Sequence, residues 1–209
     1  MKRNPILRHA ALTVAVILSA AAGTQAYVLL SPRRTWDSPP NYRVDNRGQS
    51  SVADGDFGRT RTRNAITSSS AWNGAGTGTR INATVASISG FRLGDNIPML
   101  NFRDPLGACT GNCLAATFTG FFSSRGNGTN RINDADIVTN TAHNWGSTGD
   151  PCSGQEFFIE GVMVHEIGHG LGLAHTNVSG ATMFPSVSAC NNGPATIEAD
   201  DRAAINDLY

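Results

Sequence analysis

The chain has 209 residues, with 16 basic and 16 acidic side chains, so its formal charge is zero. Its composition, 40% apolar and only 15% charged, excludes a highly charged disordered chain and fits one domain with a core of useful size. The absence of a basic surplus argues against a nucleic-acid binder, and four cysteines raise the question of redox compartment.

In chain order, Lys2, Arg3 and Arg8 precede an apolar run from Ala10 to Ala22, and Thr24-Gln25-Ala26 places small residues where a signal peptidase cuts. Residues 1–26 are therefore expected to be a secretory signal cleaved near Ala26. The run is short for a membrane anchor and lacks a charged stop, so no span is expected in the mature chain. Removing it takes three basic residues and leaves a balance of about minus three. Residues 27–40 read as an N-terminal segment and 41–209 as one folded domain.

Within that domain Tyr42-Arg43-Val44 is a short strand candidate, and residues 59–73 read as a helix with Ala65, Ile66 and Trp72 inward. Strands are expected over Ile81–Ile88, Ile97–Phe102, Leu114–Phe122 and Ile132–Thr139, with glycine- and serine-rich turns between them. Gln155–Leu171 reads as a long helix with Phe158, Val162, His165 and His169 along one face. Ala199–Tyr209 reads as a closing helix. This order predicts an α+β domain: one twisted mixed sheet with helices packed on it, the second helix central and buried.

The four cysteines allow three pairings. Cys109-Thr-Gly-Asn-Cys113 looks like a small closed loop, and Cys152 and Cys190 flank the long helix, so Cys109–Cys113 and Cys152–Cys190 are favoured. Thiol-bound zinc is the alternative, but no C-x-x-C pair supports it.

The most informative stretch is His165-Glu166-Ile167-Gly168-His169-Gly170-Leu171-Gly172-Leu173-Ala174-His175. His165 and His169 are four residues apart and share a helix face. Gly172 can adopt positive φ, end the helix and return His175 as a third nitrogen donor. Three nitrogens leave one zinc position open, the catalytic arrangement, and Glu166 stands beside it as a general base.

These residues resemble the metzincin zinc peptidases, and within them the matrixins, in a minimal secreted bacterial type. The signature H-E-x-x-H-x-x-G-x-x-H is filled by His165, Glu166, His169, Gly172 and His175. Ala181-Thr182-Met183-Phe184-Pro185 resembles the family's methionine turn, with Met183 under the metal. Thr176 after the third histidine, the segment Gly111–Phe118 and the segment Asn133–Ile137 are similar to matrixins. The likeness is strong over 155–185 and weak before 110. It implies one catalytic Zn²⁺, a zincin-like fold and hydrolysis of an extended peptide. It also implies a substrate edge strand at Leu114 and Ala115, and a pocket lined by Val162, Pro185, Ser186 and Val187.

The departures narrow this further. The family's second, structural zinc uses histidines where this chain has Ala116 and Asp136, and His143 alone cannot replace them. Ca²⁺ has thin support, from Asp95, Asp134 and Asp136, which also read as turn and loop carboxylates. No cysteine precedes Cys109, so no cysteine-switch pro-segment is expected, and a monomer is expected. Two rival readings are a non-catalytic secreted zinc-containing binding protein and a zinc hydrolase of a non-peptide substrate.

Overall fold

The computed structural model describes residues 27–52, 55–76, 80–123 and 128–209; the expected signal segment lies outside them. Eight strands and three α-helices follow in order: β1 Arg34–Trp36, β2 Asn41–Asp45, α1 Arg59–Ile66, β3 Asn82–Ala86, β4 Met99–Asn101, β5 Ala115–Phe122, β6 Asn130–Thr139, β7 Asn144–Gly146, β8 Glu156–Phe158, α2 Ile159–Leu171 and α3 Ala199–Leu208. The main sheet is mixed, as expected. β2 pairs in parallel with β3 and β4, and β4 with β6. Along one side of β6 run β1, at Asn130–Ile132, and β4, at Ile137–Val138. Along its other side runs β5, antiparallel, with Thr117 opposite Ile137 and a register shift at Gly120/Phe121. Among the described residues β5 pairs with no further strand, so it is the sheet's edge.

α2 is the central helix. Eleven of its thirteen residues are buried, and Ile159, Met163, Val164, Ile167 and Leu171 share one core with Tyr42 and Val44 of β2, Leu100 of β4, and Ala135 and Ile137 of β6. The approach to the sheet is close because Gly170 has no side chain. A Cβ there would lie 2.4 Å from the Tyr42 hydroxyl. A smaller cluster on the opposite face of the sheet joins Cys109, Phe118 and Val138.

Two helices are shorter than their patterns suggest. α1 stops at Ile66, and Trp72–Gly74 forms a separate 3₁₀ turn. The reason is side-chain competition: the Thr67 hydroxyl donates to the Arg63 carbonyl, and the Ser68 hydroxyl accepts the Ser70 amide at 3.1 Å. Hydroxyls that satisfy the backbone locally offer it an alternative to further helix. α2 starts at Ile159 rather than Gln155, because Glu156–Phe158 pairs in parallel with Asn144–Gly146 as β8. Phe158 therefore precedes the helix and is not stacked on its histidine face. The Cys190 amide donates to the Glu156 carbonyl at 2.9 Å, which helps hold this segment extended.

Both favoured disulfides are present, Cys109–Cys113 and Cys152–Cys190, and no cysteine is free. Among the described residues no helix is long and apolar enough to cross a membrane.

Candidate metal centre

The last turns of α2 and the turn after it build a compact cluster of imidazoles. Gly172 caps the helix at φ 107° and its amide and that of Leu173 take up the His169 and Gly168 carbonyls. A Cβ at Gly172 would lie 2.4 Å from the Arg34 carbonyl oxygen, so both conformation and space require glycine there. The remaining carbonyls at the helix end go to side chains. The Trp36 indole donates to Gly170 at 2.8 Å and the Tyr209 hydroxyl to Leu171 at 3.0 Å. The chain then runs back beside the N-terminal segment, with Leu30 N–H bonded to Gly172 O and Ala174 N–H to Val28 O. That reversal brings His175 to the other two rings.

The Nε2 atoms of His165 and His169 lie 3.2 and 3.1 Å from Nε2 of His175. Nδ1 of His165 donates to the Thr182 carbonyl at 2.6 Å, and Nδ1 of His169 donates to the Leu173 carbonyl at 2.9 Å. A neutral imidazole carries one N–H, so these bonds put the proton on Nδ1 and leave Nε2 as a bare lone pair. Lone pairs converging at such distances repel unless a cation or proton lies between them. Burial holds His169 well below the usual imidazole range, reinforced by His165 and His175, and burial brings His175 down to about 4. A divalent cation with a preference for nitrogen donors fits this donor set. Among the described residues, this is the one group of His, Cys, Asp or Glu side chains whose donor atoms converge in this way.

Met183 is 2% exposed and packs against α2, its sulfur so close to Gly168 that a Cβ there would lie 2.3 Å from it. The turn carrying it is fixed by Asp201 of α3, whose carboxylate accepts the amides of Thr182 at 2.8 Å and Met183 at 3.0 Å, and that of Glu198 at 2.9 Å. The Met183 carbonyl in turn accepts the Thr176 amide at 3.0 Å. The chain Asp201–Thr182–His165 thus orients one imidazole from a helix twenty-six residues beyond the cluster's end. Asp201 has no signature in the sequence, since its role depends on where α3 docks.

Glu166 is 6% exposed and points into the same cavity. Burial raises its pKa, while His165 and a hydrogen bond from Thr117 oppose the rise. The cavity, of about 620 Å³, runs between β5 and the segment after Met183. Leu114, Ala115, Val162, Pro185, Ser186 and Val187 all line it, together with the three histidines. Sequence reasoning missed Thr117, Phe157 and His143 in that lining. His143 donates to the Cys113 carbonyl at 3.1 Å and meets Phe157 edge-on at 5.5 Å.

The three aspartates considered for calcium lie elsewhere. Asp134 and Asp136 are on β6, each 1% exposed, not in a turn or loop. The Met99 amide donates to Asp136 at 3.2 Å, while Asp95 accepts the Ile97 amide in the covering loop.

Comparison with known proteins agrees with this geometry. Residues 108–209 match the peptidase M10 family model described as Matrixin. Metalloendoproteinase 5-MMP of Arabidopsis thaliana is 45% identical over 51 residues, 24% of this chain and 14% of that protein. Matrix metalloproteinase-2 of Drosophila melanogaster is 35% identical over 82 residues, 39% of this chain and 10% of that protein. Metalloendoproteinase 4-MMP of Arabidopsis thaliana is 39% identical over 51 residues, 24% of this chain and 15% of that protein. The chain thus spans only 10–15% of the length of these relatives.

Proposed function

The chain is a matrixin-like metzincin over residues 108–209, and from that premise we propose that it is a secreted zinc endopeptidase. The observation that carries this reading is the convergence of three Nε2 atoms beside a buried carboxyl group, in a cavity flanked by a free sheet edge.

His165, His169 and His175 would hold the ion, which when bound polarises a carbonyl and lowers the pKa of water to about 7. Glu166 takes the proton from the attacking water as the C–O bond forms. It then delivers that proton to the leaving nitrogen as the C–N bond breaks. Met183 and Asp201 act on His165 only through packing and the Thr182 carbonyl.

The free edge of β5 supports substrate binding by strand addition beside Leu114 and Ala115, so the substrate is an extended peptide. Val162, Pro185, Ser186 and Val187 give the pocket past the scissile bond small and apolar walls, suited to a hydrophobic side chain. Two disulfides and the apolar leader support export from the cytosol. Residues 41–209 form the catalytic unit, and residues 27–30 brace the turn before His175.

The test is cleavage of casein and of a peptide library by the purified protein, with zinc content measured in parallel. Wild type is expected to bind one zinc and to cut before hydrophobic residues. Glu166→Ala is expected to keep the zinc and lose about 10²–10⁴-fold in kcat. One zinc bound with no cleavage by wild type overturns the reading in favour of a binding protein.

A further inference from the structure

Thr117 sits on β5 opposite Ile137, and its hydroxyl oxygen lies 2.5 Å from Glu166 Oε2 and 3.0 Å from the Glu166 backbone carbonyl. A hydroxyl has one proton to give and two lone pairs to receive with. Pointed at both oxygens of one residue, it ties the side chain and the main chain of Glu166 to the sheet edge through a single atom. A bond to a carboxylate is charge-assisted and stronger than a neutral one. The backbone carbonyl fixes where the hydroxyl sits, so the carboxyl is held from a set point on β5.

We propose that Thr117 is a positioning residue for Glu166, tying its carboxyl to the edge strand so that it keeps one orientation in the cavity. The inference rests on the peptidase reading above. In it the proton moves from water to Glu166 and on to the leaving nitrogen; Thr117 neither gains nor loses one. An aliphatic side chain would fill the same strand position, since threonine and valine share shape and strand preference. What valine lacks is the hydroxyl, and a buried carboxyl without its partner is free to turn away from the cavity.

The experiment compares wild type, Thr117→Val and Thr117→Ser in the full-length protein. With a peptide that wild type cleaves, Thr117→Val is expected to lose about tenfold to a hundredfold in kcat with KM within about twofold, and Thr117→Ser to recover most of the loss. A second readout is independent of turnover. The chain has only four glutamates, so labelling them with ¹³C and subtracting the Glu166→Gln spectrum isolates the Glu166 carboxyl stretch in the infrared. In the zinc-free protein that band is expected to shift in Thr117→Val and to return in Thr117→Ser. An unchanged band together with kcat within about twofold of wild type overturns the proposal. So does a parallel loss of kcat and melting temperature that serine fails to restore, which marks a purely structural residue. A wild type that holds zinc and cleaves nothing overturns the peptidase reading and Thr117's part in turnover, while the band still reports whether the hydroxyl holds Glu166.

Discussion

The two halves of this chain differ in what they carry. Residues 108–209 contain the imidazole cluster, Glu166, Met183, both disulfides and the whole family match. The first half lies outside that match, yet it supplies the groups that finish the site helix. Trp72 donates to the Val164 carbonyl at 2.7 Å, Trp36 to Gly170, and Tyr42 lies against Gly170. All three are contacts to the backbone of α2, which is why they leave no motif. A side chain that binds a main-chain carbonyl is indifferent to the partner's identity. The half that resembles its relatives thus holds the chemistry, and the other holds that chemistry in place.

The sharpest way to break this division lies inside the second half. If the site were fixed mainly from the first half, Asp201 would be dispensable. Its buried carboxylate instead accepts three backbone amides, two of them in the turn that carries Thr182 and Met183. Asp201→Ala leaves those donors without an acceptor and is expected to cost about 3 kcal/mol or more. It should also weaken zinc binding, because the Thr182 carbonyl that holds His165 loses its anchor. Thermal melting and zinc titration of the variant check both. A stable variant with normal zinc affinity would shift the weight to the first half.

A second test addresses the face of the sheet where the halves meet without the site. The first half's loop covers Asp134 and Asp136, and Asn96 accepts a hydrogen bond from Asn133. Burial, then Asp134, then Asp95, push Asp136 up to about 9. The folded chain therefore binds a proton that the unfolded chain has released above the ordinary carboxylate range. Stability from this group is complete at low pH and is lost as pH rises toward about 9. The loss is expected to be on the order of 4 kcal/mol between about pH 5 and pH 8, and Asp136→Asn is expected to flatten it. Urea melts of both proteins across that range decide; a wild type whose stability does not fall relative to Asp136→Asn as pH rises would contradict the assignment.

The degree to which the sequence could be read follows the same division. The histidine motif, the glycine that reverses the chain and the long strands β5 and β6 depend on local spacing, and they are legible. β1, β7 and β8 have three residues each, too few for an alternating pattern to register. Glu156-Phe157-Phe158 continues the apolar run of α2 and reads as helix, and only its pairing with Asn144–Gly146 makes it strand. Trp72 reads correctly as inward-facing but not as a hydrogen-bond donor to α2. Thr117 and Asp201 are invisible for the same reason: their partners are far in sequence and are set by docking. Burial of Asp134 and Asp136 was equally hidden, because alternate acidic residues on a strand ordinarily face water.

The smallest expected effect is the most direct probe of what the first half contributes. Trp72 is 1% exposed, and a Cβ on Gly168 would lie 2.7 Å from its ring, so it packs where Met183 also meets the helix. Trp72→Phe keeps an aromatic ring there but removes the indole N–H from the Val164 carbonyl. That carbonyl sits one residue before His165, within the regular helix, and keeps its other acceptor site. The cost is therefore that of one neutral hydrogen bond and a small loss of volume, about 1–2 kcal/mol. Zinc affinity is expected to fall only a fewfold, since the His165 and His169 rings keep their own carbonyl partners at Thr182 and Leu173. Melting temperature and zinc affinity measured on the same variant separate the two contributions. A drop in stability with near-normal affinity is what a supporting half should give. A large loss of affinity instead would mean that the first half sets the ligand geometry itself.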